Sequence, residues 1–304
     1  MFIIPTSDHP FYLWQSVVQM HALQDEDARW LFYSDGKPSK ILQGILDSKV
    51  AKMSVWSDWP RDKKYNAAMK PWLVGKWLNA DGYDGDVTVI DPDVIPTGNP
   101  LPEAVEGVLL GTNTDNYTGP NWLHSKSSLR ALCSLLNVDL EDARATVGIG
   151  AQYTFKGIDG DWWENVARDS VKAYHMLKSI PTENQPWCAE MYVTHLSAVR
   201  DGLTPTPSDE MSMVWAYGDV EGWTEDGFFH DAGVQTPREG HFCKSLYQSW
   251  PRDIPAVDEG LAASFYVEMI KDVESDWPEL VSLFHPKDFS IDDLLNDQNE
   301  RYGV

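Results

Sequence analysis

Short apolar runs alternate with amphipathic segments over the first 95 residues, the pattern of an α/β fold. The apolar runs predict strands at residues 2–5, 30–33, 52–56 and 87–90, and helical spacing of apolar residues predicts helices at 13–21, 40–47 and 66–78. Pro71 lies inside the third helix, which must either begin near it or kink there. The run 87–90 is apolar at both odd and even positions, as in a parallel strand covered on both faces.

The second half of the chain has a less regular pattern. We expect strands at residues 108–110, 147–155, 212–217 and 227–230, and helices at 162–177, 187–199 and 262–273. The acidic tail, 288–304, predicts a surface helix and a frayed end. These elements predict one mixed α/β domain around an open, mostly parallel sheet, with a C-terminal helical extension.

Composition narrows the classes of protein. The 304 residues are 42% hydrophobic and 23% charged, as in an ordinary globular protein, and carry a net charge of −23. That charge repels nucleic acid on average, so any basic footprint must be local. Three dispersed cysteines indicate no zinc site. We expect no signal peptide, no membrane span and a cytoplasmic location, since no run reaches the ~18 apolar residues that a span needs.

The sequence Asp91-Pro92-Asp93 directly follows the predicted strand 87–90. Ligands of an open α/β sheet bind at the carboxyl ends of its strands, so both carboxylates are expected to face that crevice. Hard cations such as Mg²⁺ and Mn²⁺ prefer carboxylate oxygens and bridge to phosphates. A plain turn that ends the strand is the alternative, and the three-residue motif alone does not decide between them.

A second group of candidates follows the apolar run 227–230. His230 is a candidate third metal ligand, through a neutral imidazole nitrogen, or else a hydrogen-bonded core histidine. Gly233 would let the backbone approach a phosphate closely. Lys244 would supply a positive charge to the same diphosphate.

Three more side chains stand at positions suited to a ligand. Gln152, in the glycine-bearing strand 147–155, is a candidate to present its amide to a sugar, although a bulged or edge strand would also explain the glycines. Glu190 begins a helix, where a carboxylate suits the helix dipole, and is a candidate to accept hydrogen bonds from sugar hydroxyls. Lys70 is a lone cation on an apolar helix, either a phosphate ligand or a surface lysine with a buried stem.

The order of these motifs resembles that of GT-A-fold glycosyltransferases. The residues that carry the resemblance are 2–5, 66–78 with its Lys-Pro-Trp, 90–93, 148–152, 190–192 and His230 to Lys244. Among these enzymes the chain is most similar to the plant peptidyl hydroxyproline arabinosyltransferase and peptidyl serine galactosyltransferase group and its phage-encoded relatives. His230 to Lys244 is also similar to an element of glycogenin-like enzymes, but Lys244 lies much further from Gly233 than in that pattern.

The resemblance implies a UDP-sugar donor, Mn²⁺ or Mg²⁺, and retention of anomeric configuration. It implies that Asp93 and His230 bind the metal, that Asp91 contacts the metal or ribose, and that Gln152 and Glu190 contact the donor sugar. Other residues expected at the nucleotide are Pro5, Thr6, Lys70, Gly233 and Lys244. It also implies a transferase domain at 1–255, with a nucleotide-binding half at 1–95 and an acceptor half at 96–255, followed by the helical extension at 256–304.

The acceptor is less defined than the donor. The phage relatives suggest 5-hydroxymethylpyrimidines in phage DNA, and the basic concentrations that would serve DNA are 61–64 with Lys70 and Lys76, and 124–126 with Arg130. A hydroxyproline or serine peptide and a small glycan are the alternatives. Two other classes stay open: a nucleotidyltransferase, which would need a glycine-rich basic loop that residues 5–8 do not provide, and an inactive binding module of a virion. The sequence does not indicate an oligomeric state.

Overall fold

The computed structural model describes residues 1–59, 65–123, 127–180 and 185–285. Its strands are β1 Phe2–Ser7, β2 Ala28–Tyr33, β3 Lys52–Trp56, β4 Val87–Val89, β5 Val94–Pro96, β6 Val108–Asn113, β7 Ile149–Phe155, β8 Thr204–Pro207, β9 Met213–Trp215 and β10 Phe228–His230. Its α-helices are α1 Pro10–Ala22, α2 Lys40–Ser48, α3 Met69–Asp81, α4 Pro120–Leu123, α5 Ser127–Leu136, α6 Leu140–Arg144, α7 Gly160–Ser179, α8 Ala189–Arg200, α9 Gly222–Glu225, α10 Ala263–Asp276 and α11 Pro278–Ser282.

Seven strands form the main sheet, in the order β3-β2-β1-β4-β7-β6-β8. β1, β2, β3 and β4 run parallel, β7 is antiparallel to both of its neighbours, and β8 is parallel to β6. The expected mixed α/β fold around an open, mostly parallel sheet is therefore confirmed. β4 lies inside the sheet, and hydrophobic clusters cover both of its faces, with Val87 and Val89 in one cluster and the following Ile90 in the other, which explains the apolar residues at odd and even positions.

The two faces of the main sheet bury separate hydrophobic clusters. Ile3 of β1 packs with α3, α5, α7 and α8 on one face, whereas Ile4 packs with α1, α2, α10 and a second sheet on the other. That second sheet has three strands in the order β5-β10-β9. The alternation of neighbouring side chains along a strand thus divides the core into two halves, one on each side of the sheet.

The start of α3 settles the position of Lys70. A 3₁₀ turn, Asn66–Ala68, precedes α3, and Pro71 lies in the first helical turn. Proline is tolerated there because its missing N–H has no partner within the helix. Of the two arrangements that Pro71 allowed, the helix therefore begins near it, and Lys70 faces the carboxyl end of β4 and the amino end of β7.

β7 carries a bulge, which is one of the alternatives that its glycines left open. Its register against β6 shifts between Gly111 and Asn113, and Ala151 has a positive φ of 59°. A left-handed residue inside a strand changes which side chains face which surface. The bulge therefore decides which residues of β7 face the site.

The C-terminal helices are part of the core. Tyr266 of α10 packs with its ring centroid 6.4 Å from that of Trp14 and 5.3 Å from that of Phe229. The predicted helix at 262–273 is confirmed, and it closes the face of the main sheet that carries α1. The predicted tail at 288–304 and the basic segments 61–64 and 124–126 lie outside the described residues.

Among the described residues, two strands and one helix longer than about five residues are additional to the predicted elements, as are the short helices α4, α6, α9 and α11. β5 is short, and β8 carries prolines at alternate positions, which a central strand would not tolerate; β8 pairs only with β6, at the edge of the sheet. The helix is α5, in which Leu129, Leu132 and Leu136 are buried at helical spacing. Within the described residues, none of the helices is both long and apolar enough to cross a membrane.

Candidate functional site

A cavity of about 720 Å³ opens at the carboxyl ends of β1 and β4. Its walls come from the loop after β1, the segment between β4 and β5, the start of α3, the start of α8, and the ends of β9 and β10. This is the edge of an α/β sheet at which ligands bind. The volume lies within the range of pockets that enclose a nucleotide-sized ligand.

Asp91, Asp93 and His230 meet in this cavity. One ligand atom from each lies within 4.8 Å of the other two. Asp93 and His230 are brought together by the β5–β10 ladder, in which His230 pairs with Val94, and by the backbone N–H of Asp231, which donates to the carbonyl of Asp93 at 2.9 Å. The pairing of β5 with β10 thus brings together two residues, Asp93 and His230, that are 137 positions apart in the sequence.

Two lysines neutralise the two aspartates. The Nζ of Lys70 lies 3.0 Å from Oδ1 of Asp91, 2.8 Å from the carbonyl of Ala151 and 3.7 Å from a carboxylate oxygen of Glu190. The Nζ of Lys244 donates to Oδ2 of Asp93, and Nε2 of His230 lies 3.4 Å from the same oxygen. Both predicted phosphate-binding lysines are therefore at the site, Lys244 included despite its distance from Gly233 in sequence.

Charge pairing outweighs burial at Asp93 and at both lysines. Burial would raise the pKa of Asp93, but Lys244 and His230 hold it well below its usual range. Burial opposes the ammonium charges of Lys70 and Lys244, yet the carboxylates around them raise both pKa values. Asp93 is therefore ionised, as a metal ligand must be, and both lysines are charged at neutral pH.

Two further buried carboxyls titrate near neutrality. Burial raises the pKa of Glu190 to about 7, with Lys70 opposing the shift and Asp91 adding to it. Burial likewise raises the pKa of Asp231 to about 7, opposed by Lys244 and increased by Asp93. Carboxyls shifted this far in a cleft are a common mark of functional sites.

The donor set fits a hard divalent cation. Two carboxylates and one imidazole suit Mn²⁺ or Mg²⁺, and Nδ1 of His230 is buried without a hydrogen-bond partner among the described residues. Asp91 and Asp93 are already balanced by Lys70 and Lys244. A bound divalent cation would leave the cluster with a positive surplus, which a diphosphate would neutralise.

Gln19 of α1 holds the segment that carries the two aspartates. Its Nε2 donates to the carbonyls of Asp91 and Val94 at 2.9 and 2.6 Å, and its Oε1 accepts from the indole of Trp30 at 3.0 Å. The side chain is fully buried, so its amide is satisfied entirely by protein groups. Sequence reasoning missed it because nothing in a helical glutamine shows which loop it will reach.

Most of the predicted site residues line the cavity. Pro5 and Thr6 contribute from the end of β1, and Glu190, 4% exposed, contributes from the start of α8. Gln152 is placed elsewhere: it is fully buried with its Oε1 3.4 Å from the hydroxyl of Thr112, and Ala151 lines the cavity. The bulge at Ala151 explains this placement, because a left-handed residue changes which side chains of β7 face the cavity.

Gly233 lines the cavity for a different reason from the one expected. A Cβ at this position would lie 2.4 Å from Cε1 of Tyr217, and the φ of Gly233 is +89°. The missing side chain therefore makes room for an aromatic ring, and the positive φ itself favours glycine. The prediction of a close phosphate approach is not needed to explain this glycine.

Aromatic side chains of the cavity are the other feature that the sequence prediction missed. Tyr12, Tyr117, Trp187, Trp215 and Tyr217 all line it. The fourteen tryptophans of the chain indicate either core or ring-stacking roles, but the sequence does not show which tryptophan has which role. Only the structure distinguishes Trp14 and Trp163, which are buried in the core, from the aromatic residues of the cavity.

Comparisons with known proteins gave distant structural similarity. No family model matches the sequence, and no curated protein matches it. The glycosyltransferase GlyE of Streptococcus pneumoniae TIGR4 superposes with a TM-score of 0.46 and 10% identity, over 95% of this chain and 66% of that protein. A nucleoside-diphosphate-sugar pyrophosphorylase of Vibrio cholerae RC9 gives a TM-score of 0.34 and 12% identity, over 68% of this chain and 91% of that one. Both TM-scores lie below 0.5, too low to transfer a function.

Proposed function

We propose that the protein is a metal-dependent glycosyltransferase that moves a sugar from a UDP-sugar to a hydroxyl acceptor. The supporting observation is the cluster of Asp91, Asp93 and His230, flanked by Lys70 and Lys244, at the carboxyl end of β4 in a cavity of nucleotide size. We assign residues 1–255 to the transferase, with 1–95 as the nucleotide side, 96–255 as the acceptor side and 256–304 as the C-terminal extension.

Asp91, Asp93 and His230 would hold Mn²⁺ or Mg²⁺. The bound ion would neutralise the leaving diphosphate as a Lewis acid. Once the carboxylates hold a cation, the ammonium groups of Lys70 and Lys244 can turn to the phosphate oxygens, which bear the charge that develops when the sugar leaves. The reaction would retain the anomeric configuration, with the acceptor proton passing to the departing phosphate.

Glu190 would orient the donor sugar. Its carboxyl lies at the cavity wall, fixed by a backbone N–H that donates to the hydroxyl of Tyr65 at 2.6 Å and by the Thr194 hydroxyl 3.4 Å from Oε1. Ionised, the carboxyl accepts hydrogen bonds from sugar hydroxyls; protonated, it also donates one. With a pKa of about 7, both states are populated near neutral pH.

The acceptor is better argued as neutral than as DNA. Of the described residues that line the cavity, five carry carboxyl groups, and Lys70 and Lys244 balance two of these, Asp91 and Asp93. The segments 61–64 and 124–126, on which a 5-hydroxymethylpyrimidine acceptor depends, lie outside the described residues. An acidic cavity repels a phosphodiester backbone, so a small glycan or a neutral peptide hydroxyl is the acceptor that the described charges favour.

Calorimetric titration of UDP with and without Mn²⁺ tests the metal site. We expect tight binding only with Mn²⁺, and we expect Asp93→Asn to lose this metal dependence while Asp272→Asn, on an exposed position of α10, keeps it. A panel of UDP-sugars should then yield UDP and free or transferred sugar in the presence of Mn²⁺. Metal-independent UDP binding by the wild-type protein, or full turnover by Asp93→Asn, would contradict the proposal.

The same assay separates the rival classes. A nucleotidyltransferase would release UTP when given a UDP-sugar and pyrophosphate, whereas a glycosyltransferase releases UDP. A binding module of a virion would release neither. The described loop between β1 and α1, residues Asp8 and His9, is too short and too acidic for the phosphate-binding loop that nucleotide transfer needs.

A further inference from the structure

Tyr217 presents a half-exposed ring to the cavity. The side chain follows β9, lines the cavity, and is 50% exposed. Of the seven large hydrophobic side chains that are exposed in the described residues, three line this cavity: Tyr12, Trp187 and Tyr217. An aromatic ring left partly open beside a polar site is a favourable surface for a ligand with one apolar face.

The ring of Trp215 lies between Tyr217 and His230 of the metal cluster. β9 and β10 pair Trp215 with His230, and their rings stack with centroids 5.0 Å apart at 28°. The rings of Trp215 and Tyr217 are nearly parallel, 13° apart, with centroids separated by 6.4 Å. A ligand ring that stacks on Tyr217 is therefore held in a fixed relation to His230.

Gly233 fixes the same ring from its own backbone. The site of its missing Cβ lies 2.4 Å from Cε1 and 2.9 Å from Cδ1 of Tyr217. Gly233 lies three residues after His230, so the Tyr217 ring packs against the segment that follows β10 and lies beside Trp215 of β9. The ring is thus preorganised, which lowers the entropy lost when a ligand binds.

The charges of the cavity select among possible ring ligands. Besides the two aspartates of the cluster, which are paired with Lys70 and Lys244, the carboxyl groups of Asp8, Asp35 and Glu190 line the cavity. These carboxylates repel an anionic ligand other than the diphosphate. Carboxylates do, however, accept hydrogen bonds from hydroxyl groups readily.

We propose that Tyr217, backed by Trp215, is the acceptor platform and takes a neutral sugar ring. The inference rests on the proposed function and names its acceptor class. The C–H face of the sugar packs on Tyr217, and one hydroxyl points toward the metal cluster. The hydroxyl oxygen bonds to the anomeric carbon of the donor as the bond from that carbon to the diphosphate breaks, and the hydroxyl proton goes to the diphosphate.

Saturation-transfer NMR tests the platform with the intact protein, Mg²⁺ and UDP. The probes are the methyl glycosides of glucose, galactose, mannose and N-acetylglucosamine, together with cellobiose and lactose, all at millimolar concentration. We expect at least one of them to bind and Tyr217→Ala to weaken it about tenfold, the loss of one ring stack. Tyr217→Phe should bind as the wild type does, and Phe265→Ala, an exposed aromatic on α10, is the matched control.

Each other outcome overturns the acceptor assignment. If UDP binds with the metal but none of the six saccharides binds, or if Tyr217→Ala binds saccharide normally, the platform is wrong while the glycosyltransferase proposal stands. If an oligodeoxynucleotide with 5-hydroxymethylcytosine binds and Tyr217→Ala weakens that binding, the acceptor is nucleic acid. If UDP itself does not bind with the metal, the proposed function fails first. Calorimetric UDP affinity of Tyr217→Ala shows whether this variant has folded.

Discussion

Replacement of Gln19 by methionine should weaken metal binding without touching a metal ligand. Gln19 donates to the carbonyls of Asp91 and Val94 and accepts from the Trp30 indole. Methionine has a similar length and no amide, so the segment between β4 and β5 loses its attachment to α1. The carboxylates of Asp91 and Asp93 then sample more positions, and the affinity for a divalent cation falls.

The size of the effect follows from the buried groups left without partners. The carbonyl of Asp91 still accepts the N–H of Val94 at 3.1 Å, so the main losses fall on the Val94 carbonyl and the Trp30 indole N–H. At roughly 1–3 kcal/mol for each of these two unsatisfied buried groups, the free energy of unfolding should fall by about 2–6 kcal/mol. Loss of a hydrogen bond that orients a metal site typically lowers metal affinity by about 10–100-fold.

Urea denaturation and calorimetric titration of Mn²⁺ measure the two effects. Gln15→Met is the matched control, since Gln15 is equally buried on the same helix but donates only to Phe11 of its own helix. It should lose some stability and keep its Mn²⁺ affinity. Equal Mn²⁺ affinities for Gln19→Met and the wild type would refute the reasoning.

Three further predictions concern single residues. Because burial raises the pKa of Glu190 from 4.5 to about 7, its contribution to stability is complete below pH 4.5 and is lost as pH rises through 7. In urea titrations without metal, Glu190→Gln should remove about 2 kcal/mol of that loss between pH 5 and 8. A pH-independent difference in unfolding free energy between the variant and the wild type would refute this. Burial lowers the pKa of His195 to about 4, so its contribution to stability is complete above pH 6.5 and is lost as pH falls towards 4. At pH 5 the unfolding free energy of the wild type should have fallen by about 2 kcal/mol, a loss that His195→Gln does not share. Parallel curves of unfolding free energy against pH for the two proteins would contradict this. Ala151 has a left-handed φ, so Ala151→Gly should raise the free energy of unfolding by about 1 kcal/mol in thermal or urea denaturation, whereas a loss would show that the methyl packing outweighs the strain.

The convergence of Asp91, Asp93 and His230 could be predicted from sequence because each residue follows a strong local signal. Asp91 and Asp93 stand directly after an apolar strand, and His230 ends another. The carboxyl ends of strands meet where ligands bind, so the three were expected to converge. The positions of Lys70 and Glu190 could be predicted for a similar reason, since each lies at the start of a helix that points at this edge of the sheet.

Residues that depend on a local departure from regular structure were not predictable. Gln152 was expected to present its amide to a sugar, but it is buried beside the bulge at Ala151, and this bulge is decided by packing rather than by the glycines alone. Gly233 was expected to let the backbone approach a phosphate. Its contact with Tyr217 could not be foreseen, because it depends on the pairing of β9 with β10. In β8, alternate prolines argue against a strand, and the edge position that permits them is a property of the whole sheet.

The three proposed metal ligands belong to two different sheets. Asp91 follows β4 of the main sheet, whereas Asp93 precedes β5 and His230 ends β10, both in the smaller sheet that also carries Trp215 and leads into Tyr217. A cation held by all three joins the two sheets, and a donor diphosphate would add to that link. The acceptor wall would thus reach its working position after the donor has bound. We expect an ordered kinetic mechanism, donor first and UDP released last, and product-inhibition patterns that fit random binding would exclude it.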